Sequence, residues 1–229
     1  MRKGPSTDAG TVEGEGGPLI VCIDLDGTLL NVSLRYYKIH QDVCREFGLS
    51  PFPFRTYWAS KRKADQTVEF PGLSSLELRE RLGRRRKELL ETKAYLAHDR
   101  LIPGATETLE TLGRNYEVVL ITLRRNLETL KWQLDRLGLN GSFRDVLASG
   151  DGDRDAVRKS QLIKERVWPL SGLAAIAGDS EADILAGQSL GIATYAVSSG
   201  IRTASFLKVL GPTTVAPDIS GLPDFLRNI

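Results

Sequence analysis

Residues 19–30 read Leu-Ile-Val-Cys-Ile-Asp-Leu-Asp-Gly-Thr-Leu-Leu, and no other stretch restricts the fold as much. Its first five residues are apolar without a break. That is the pattern of a strand buried on both faces of a parallel sheet, since a half-exposed strand alternates. The run stops at Asp24, and Asp26 follows two residues later. On an extended strand these side chains point the same way, because direction alternates with period two. Gly27 then lets the backbone turn sharply and come close to a ligand. Two carboxylates at the carboxyl end of a buried strand make a poor core and a good site for a hard cation. Open α/β sheets bind ligands at this edge. The plainer reading, a strand end with two solvated acids, stays open on these residues alone.

The remaining pattern shows what surrounds that strand. From Pro103 onward, helix and strand alternate. Helices are expected over 105–112, 127–137, 159–167, 180–190 and 222–226, and strands over 116–122, 143–148, 173–177, 194–197 and 213–216. Strands separated by helices imply parallel pairing with right-handed crossovers. Residues 32–100 read differently. Tyr36, Ile39, Val43 and Phe47 recur at helical spacing up to Gly48, and an irregular stretch with Pro51, Pro53 and three aromatics leads to Trp58. A second helix is expected from Ser74, where Ser74 and Glu77 fit a capping box, with Leu78, Leu82, Leu89 and Leu96 on one long stripe. Inside that stripe lies Arg84-Arg85-Arg86-Lys87. Four consecutive residues reach nearly every side of a helix, so one must approach the leucine side, by snorkelling or by facing an anion.

Two further strand ends carry polar chemistry. Thr122 closes the apolar strand Val-Val-Leu-Ile-Thr, where its hydroxyl and the N–H of Leu123 can meet a phosphate oxygen. Residues 173–183 read Leu-Ala-Ala-Ile-Ala-Gly-Asp-Ser-Glu-Ala-Asp, again a strand running into acid. Asp183 also fits a capping box with Ser180, so part of its work is to tie down a helix start. Three aspartates after Gly150 invite a calcium-loop reading, which fails because Ala156 holds the glycine position and Leu162 that of the bidentate acid. His40 and His98 have no partner cluster, and cap or surface packing accounts for them.

Asp24-Leu-Asp-Gly-Thr-Leu resembles the first motif of the haloacid dehalogenase-like (HAD) hydrolases, and Gly178-Asp-Ser-Glu-Ala-Asp183 resembles their fourth. Thr122 falls where the second is expected. The resemblance covers roughly residues 18–199, and within the superfamily the chain looks like the phosphoglycolate phosphatase-like subgroup. It implies an α/β fold with a Rossmann-like parallel sheet core and an inserted α-helical cap of the C1 type. The expected division is a disordered tail over 1–17, a core over 18–31 and 101–229, and a cap over 32–100.

The resemblance also implies roles. Asp24 would be the nucleophile that forms an aspartyl-phosphate, and Asp26 the acid and base that serves the leaving oxygen and the water. Thr122 and a lysine would neutralise the transferring oxygens. Magnesium would be held by Asp24, the backbone carbonyl of Asp26 and Asp179, with Asp183 in support. Lys159 and Lys164 compete for the lysine position. Leu162, Ile163 and Val167 mark the buried helix face, and Lys159 lies on that side, so Lys159 is the choice. Leu123, Trp58 and Arg62 are the expected substrate contacts.

The implied activity is a magnesium-dependent phosphatase acting on a small phosphate monoester, with a phosphomutase or a non-catalytic binding module as alternatives. The formal net charge is +2 over 229 residues, which argues against a nucleic-acid partner. Two cysteines give no disulfide framework and suggest a reducing compartment. No apolar run reaches the length of a membrane span, and the expected location is cytoplasmic.

Overall fold

The computed structural model describes residues 19–64, 75–150, 156–167 and 169–229. In chain order the elements are β1 (Leu19–Ile23), β2 (Leu30–Asn31), α1 (Ser33–Glu46), α2 (Phe54–Arg62), α3 (Leu76–Leu89), α4 (Lys93–Leu96), β3 (Arg100–Leu101), α5 (Ala105–Leu112), β4 (Tyr116–Thr122), α6 (Leu127–Arg136), β5 (Asp145–Ala148), α7 (Ala156–Arg166), β6 (Leu173–Gly178), α8 (Glu181–Leu190), β7 (Ala193–Val197), α9 (Ala204–Val209), β8 (Thr214–Ala216) and α10 (Leu222–Leu226).

Six strands form one parallel sheet in the order β5-β4-β1-β6-β7-β8. β1 is where the winding reverses, since the chain runs outward through β4 and β5 on one side and through β6, β7 and β8 on the other. In doubly wound sheets a crevice opens at that point, outside the carboxyl ends of the strands. Pairing is in step there: Ile23 lies level with Leu120 of β4 and with Ala177 of β6. Asp24, one residue further, donates its backbone N–H to the Ala177 carbonyl at 2.9 Å. The strand ends that carry Asp24, Thr122 and Asp179 are therefore neighbours.

Alternation along β1 shows how the sheet is sandwiched. Val21 and Ile23 join one core with Val118 and Leu120, packed under Leu109 of α5, Leu130 and Leu134 of α6 and Leu222 of α10. Ile20 and Cys22 join the opposite core with Val119 and Ile121, under Leu162 and Ile163 of α7 and Ala186 of α8. Each fully buried aliphatic side chain of this kind contributes about 1.5–3 kcal/mol, and β1 supplies such side chains to both layers. This is a Rossmann-like α/β fold.

Helices α1 to α4 form one excursion from the carboxyl end of β1. The short strands β2 and β3 pair antiparallel at its base, Leu30 against Leu101. The excursion has its own small core of Ile39, Val43, Cys44 and Leu82, with Leu78, Leu89 and Tyr95 packed against it.

Several local expectations are corrected. The stretch leading to Trp58 is helical from Phe54, because Pro53 sits just ahead of the first turn, where a missing N–H costs nothing. The N-cap of α3 is Ser75, whose side chain accepts from the Leu78 N–H, rather than Ser74, which lies outside the described residues. The leucine stripe is not one helix: α3 stops at Leu89, and Leu96 belongs to α4. Helix α9 was not expected. The tail over 1–17 and the loop aspartates 151, 153 and 155 also lie outside the described residues.

Candidate active site

The cleft at the reversal point holds about 480 Å3 and is lined by Asp24, Asp26, Thr122, Leu123, Lys159 and Asp179, among others. Five of the nine residues expected from sequence to act at the site reach it from the ends of β1, β4 and β6, and Lys159 from the buried face of α7. Lys164 of the same helix is exposed. Lys159 is 1 % exposed, and its Nζ donates to Asp24 Oδ1 at 2.7 Å and to Asp183 Oδ1 at 2.5 Å.

Asp183 has two tasks. It accepts from the Ser180 backbone N–H (3.1 Å) and hydroxyl (2.7 Å), closing a capping box at the start of α8, while its other oxygen meets Lys159. Asp179 is seated by backbone. Its Oδ2 accepts from the Ile201 N–H at 2.6 Å. A Cβ on either Gly27 or Gly200 would stand 1.9 Å from that oxygen, so only glycine fits at both places. Gly27 has φ +93°, which further favours glycine.

Carboxylate oxygens of Asp24, Asp179 and Asp183 lie within 4.8 Å of one another, and all three residues are buried. Desolvation pushes the Asp24 carboxyl up to about 7, against the pull of Lys159, and Asp183 adds to the rise. Asp179 is held well above the ordinary carboxylate range, first by desolvation and then by the charges of Asp24 and Asp183. Three carboxylates against one ammonium leave two negative charges unmatched. A divalent, oxygen-seeking cation would cancel that excess, so the donor set fits magnesium.

Asp26 is placed otherwise. Its carboxylate is gripped by Arg124, whose Nε and Nη2 each donate at 2.6 Å, with Arg35 of α1 at 3.0 Å. Burial alone would raise this carboxyl, but the two guanidinium groups outweigh it and hold Asp26 well below the usual range. Behind them Asp99 pairs with Arg35 at 3.3 Å and accepts from Gln133 Nε2 at 2.7 Å, while Gln133 Oε1 accepts from Arg124. Two arginines and two aspartates thus balance in a buried network between the sheet and the helical excursion. Sequence reading missed Arg35, Arg124, Asp99 and Gln133. Arg124 carried a signal, two residues past Thr122 in a strand-end segment, whereas Asp99 and Gln133 carried none.

The excursion's expected substrate contacts do not line this cleft. Arg62 donates from Nη2 to the carbonyls of Ser198 (2.5 Å) and Arg202 (3.2 Å), which fastens α2 to the loop after β7. Trp58 packs on Tyr36, ring centres 6.3 Å apart, and on the sheet's main core. In their place Tyr36, Leu90 and Glu91 form the wall.

Fold and site together define a doubly wound α/β protein with an acid cleft at the reversal point of its sheet. The sequence model described as haloacid dehalogenase-like hydrolase matches residues 21–197. The chain belongs to the haloacid dehalogenase-like hydrolase family, and it is an enzyme, a hydrolase of that family. Among its relatives is pyrophosphatase PpaX of Bacillus cereus, 24 % identical over 223 residues, which cover 91 % of this chain and 96 % of the relative. Two solved structures share the fold. A haloacid dehalogenase-like family hydrolase from Streptococcus pneumoniae has a TM-score of 0.72 at 19 % identity, covering 91 % of this chain and 98 % of that one. A predicted phosphoglycolate phosphatase from Haemophilus somnus has a TM-score of 0.69 at 18 % identity, covering 93 % and 99 %.

Proposed function

We propose that this enzyme is a magnesium-dependent phosphatase that hydrolyses a small phosphate monoester through a phosphorylated Asp24. The observation that supports this most is the position of Asp24. It stands at the open end of the central strand, within 2.7 Å of a buried lysine and beside two further carboxylates. A structural ion pair has no need of a cleft above it or of two unmatched charges.

Asp24 and Asp179 would hold the cation, with the Asp26 carbonyl as the ligand the family resemblance adds. When bound, magnesium supplies positive charge that offsets repulsion between carboxylate and phosphate. An Asp24 oxygen attacks phosphorus, the ester P–O bond breaks, and the alcohol oxygen leaves with a proton. Lys159, Thr122 and the Leu123 N–H then face the transferring oxygens, where phosphoryl transfer needs electrostatic help most. Water attacks the phosphoryl group, the bond to Asp24 breaks, and inorganic phosphate leaves. Asp26, held as an anion by Arg124 and Arg35, is in the form that takes the proton from that water. To protonate the leaving oxygen it must first acquire a proton, which requires the arginine grip to loosen. Because Arg35 belongs to α1, movement of the helical excursion is the natural way to loosen it. In this reading residues 32–100 serve as a cap.

An aryl phosphate tests the assignment. With magnesium, steady release of inorganic phosphate is expected; a binding module would release none, and a mutase at most one equivalent per enzyme.

A further inference from the structure

The acid cleft is larger than its chemistry needs. Its volume of about 480 Å3 lies in the range that holds a whole small molecule, so a phosphoryl group fills only part of it. Much of the remaining wall is apolar. Val157 of α7 and Ala182 and Leu185 of α8 line it, with Tyr36 and Leu90 of the excursion and Ile201 of the loop after β7. Val157 is 62 % exposed and Leu185 44 %. Single exposed apolar residues are ordinary, but these two stand on helices that pack together and they line one cleft. The charged side chains around them are already engaged. Arg202 donates from Nε and Nη2 to Glu181 at 2.7 and 2.6 Å, and Glu91 accepts from the N–H groups of Arg125 and Asn126 at 2.9 and 2.8 Å. Among the described residues the lining carries five acids, Asp24, Asp26, Glu91, Asp179 and Glu181, against Arg124 and Lys159, and each of those cations holds an aspartate. A divalent cation added to this set still leaves more negative than positive charge. A second anion on a ligand would meet like charge, whereas an apolar group would bury the exposed side chains and gain by it.

We propose that the organic part of the substrate is uncharged and apolar, an aryl or alkyl group, and that Val157 and Leu185 cover it. This rests on the phosphatase reading: the scissile phosphate lies at Asp24, and the group beyond the ester oxygen lies against α7 and α8. Val157 and Leu185 then set specificity and take no part in the chemistry. Phosphate esters with an acid at the far end are poor substrates, and so is pyrophosphate, whose leaving group is itself an anion.

Three phosphonates, whose C–P bond replaces the scissile ester bond, test the subsite without turnover: methylphosphonate, benzylphosphonate and 3-phosphonopropionate. Calorimetric titration of the unmodified enzyme with magnesium gives each dissociation constant. Benzylphosphonate binds tighter than methylphosphonate by about tenfold or more, the effect of burying roughly two methylene groups. The carboxylate of 3-phosphonopropionate brings no such gain. Val157→Ser with Leu185→Ser reduces the benzyl preference to about twofold or less. Val209→Ser, the same kind of change at an exposed position of α9 outside the cleft, leaves the preference intact. All three side chains are exposed, so the cores are untouched, and a ratio of dissociation constants is insensitive to a fraction of unfolded variant. Equal binding of the benzyl and methyl compounds, or none, overturns the subsite. So does a preference that survives the double substitution, or 3-phosphonopropionate as the tightest ligand. A dimer that the double substitution breaks, with equal phosphonate affinities, would give the apolar patch to a second copy of the chain instead. Phosphate release from an aryl phosphate reports separately on the activity. Preference without release would sink the phosphatase reading and leave the subsite standing, while release without preference would sink the subsite alone.

Discussion

Lys159 shows how much one side chain can decide at this site. It is the buried cation that meets Asp24, and its second bond to Asp183 fixes the ammonium from the far side. Replacing it by Met leaves two buried carboxylates without their partner and, in the proposed mechanism, the transferring phosphoryl oxygens without a charge. A fall in kcat/KM of about a hundredfold or more is expected for Lys159→Met. Lys164→Met, on the exposed face of the same helix, is expected to stay within about twofold. Steady-state kinetics on an aryl phosphate compares the two, and a reversed order would refute the placement of α7. The burial of Lys159 and the exposure of Lys164 were legible in the sequence, because Leu162, Ile163 and Val167 reveal which way the helix faces. The grip of Arg35 and Arg124 on Asp26 was not. Neither arginine belongs to a periodic pattern that distinguishes it from a solvated one, and Asp99, which pairs with Arg35, is distant in sequence.

At the scale of elements, the loop after β7 is the piece that joins the cleft and the helical excursion. It carries Gly200 and Ile201, which seat Asp179, and it receives Arg62 from α2 through the Ser198 and Arg202 carbonyls. Arg202 returns the bond to the Lys61 carbonyl and pairs with Glu181 through two contacts, at 2.7 and 2.6 Å. One short loop therefore holds a proposed metal ligand and the end of α2 together. Gly200→Ala places a methyl group where Asp179 Oδ2 already lies. The magnesium concentration for half-maximal activity is expected to rise by about tenfold or more, the usual effect of disturbing a group that orients a ligand. An unchanged magnesium requirement would show that Asp179 is not held as described. The strands and helices of the sheet were legible because apolar runs and their helical stripes are local signals. Helix α9 and this loop's contacts were not, since what fixes them is the surface they pack on. Arg62 is the clearest case: its bonds to the Ser198 and Arg202 carbonyls join segments that are far apart in the sequence.

For the whole molecule, the acid cluster ties stability to pH and to the cation. In the metal-free protein Asp24 and Asp179 hold protons to higher pH folded than unfolded, so the folded state binds more protons between about pH 4 and pH 7 and stability falls as pH rises through that window. Asp26 works in the opposite sense, but its contribution is complete above the ordinary carboxylate range and is lost only in stronger acid. In chelator the melting temperature should therefore drop by about 5 °C or more from pH 5 to pH 7.5. Magnesium should restore it at pH 7.5 and do little at pH 5, where protons already fill the cluster. A melting temperature that is flat or rising over that interval in chelator would contradict the cluster's charge state. What the sequence could not convey at this scale was that three carboxylates and one lysine converge with two charges in excess, because that count exists only once β1, β6, α7 and α8 are assembled. The central claim, that Asp24 takes the phosphoryl group, is tested most directly by acid-quenching the enzyme during turnover of an aryl phosphate with magnesium and mapping the adduct by peptide mass spectrometry. One phosphoryl group on the peptide containing Asp24 is expected, absent from Asp24→Asn, which should also show no turnover. Turnover with the adduct on another residue, or sustained turnover by Asp24→Asn, would contradict it.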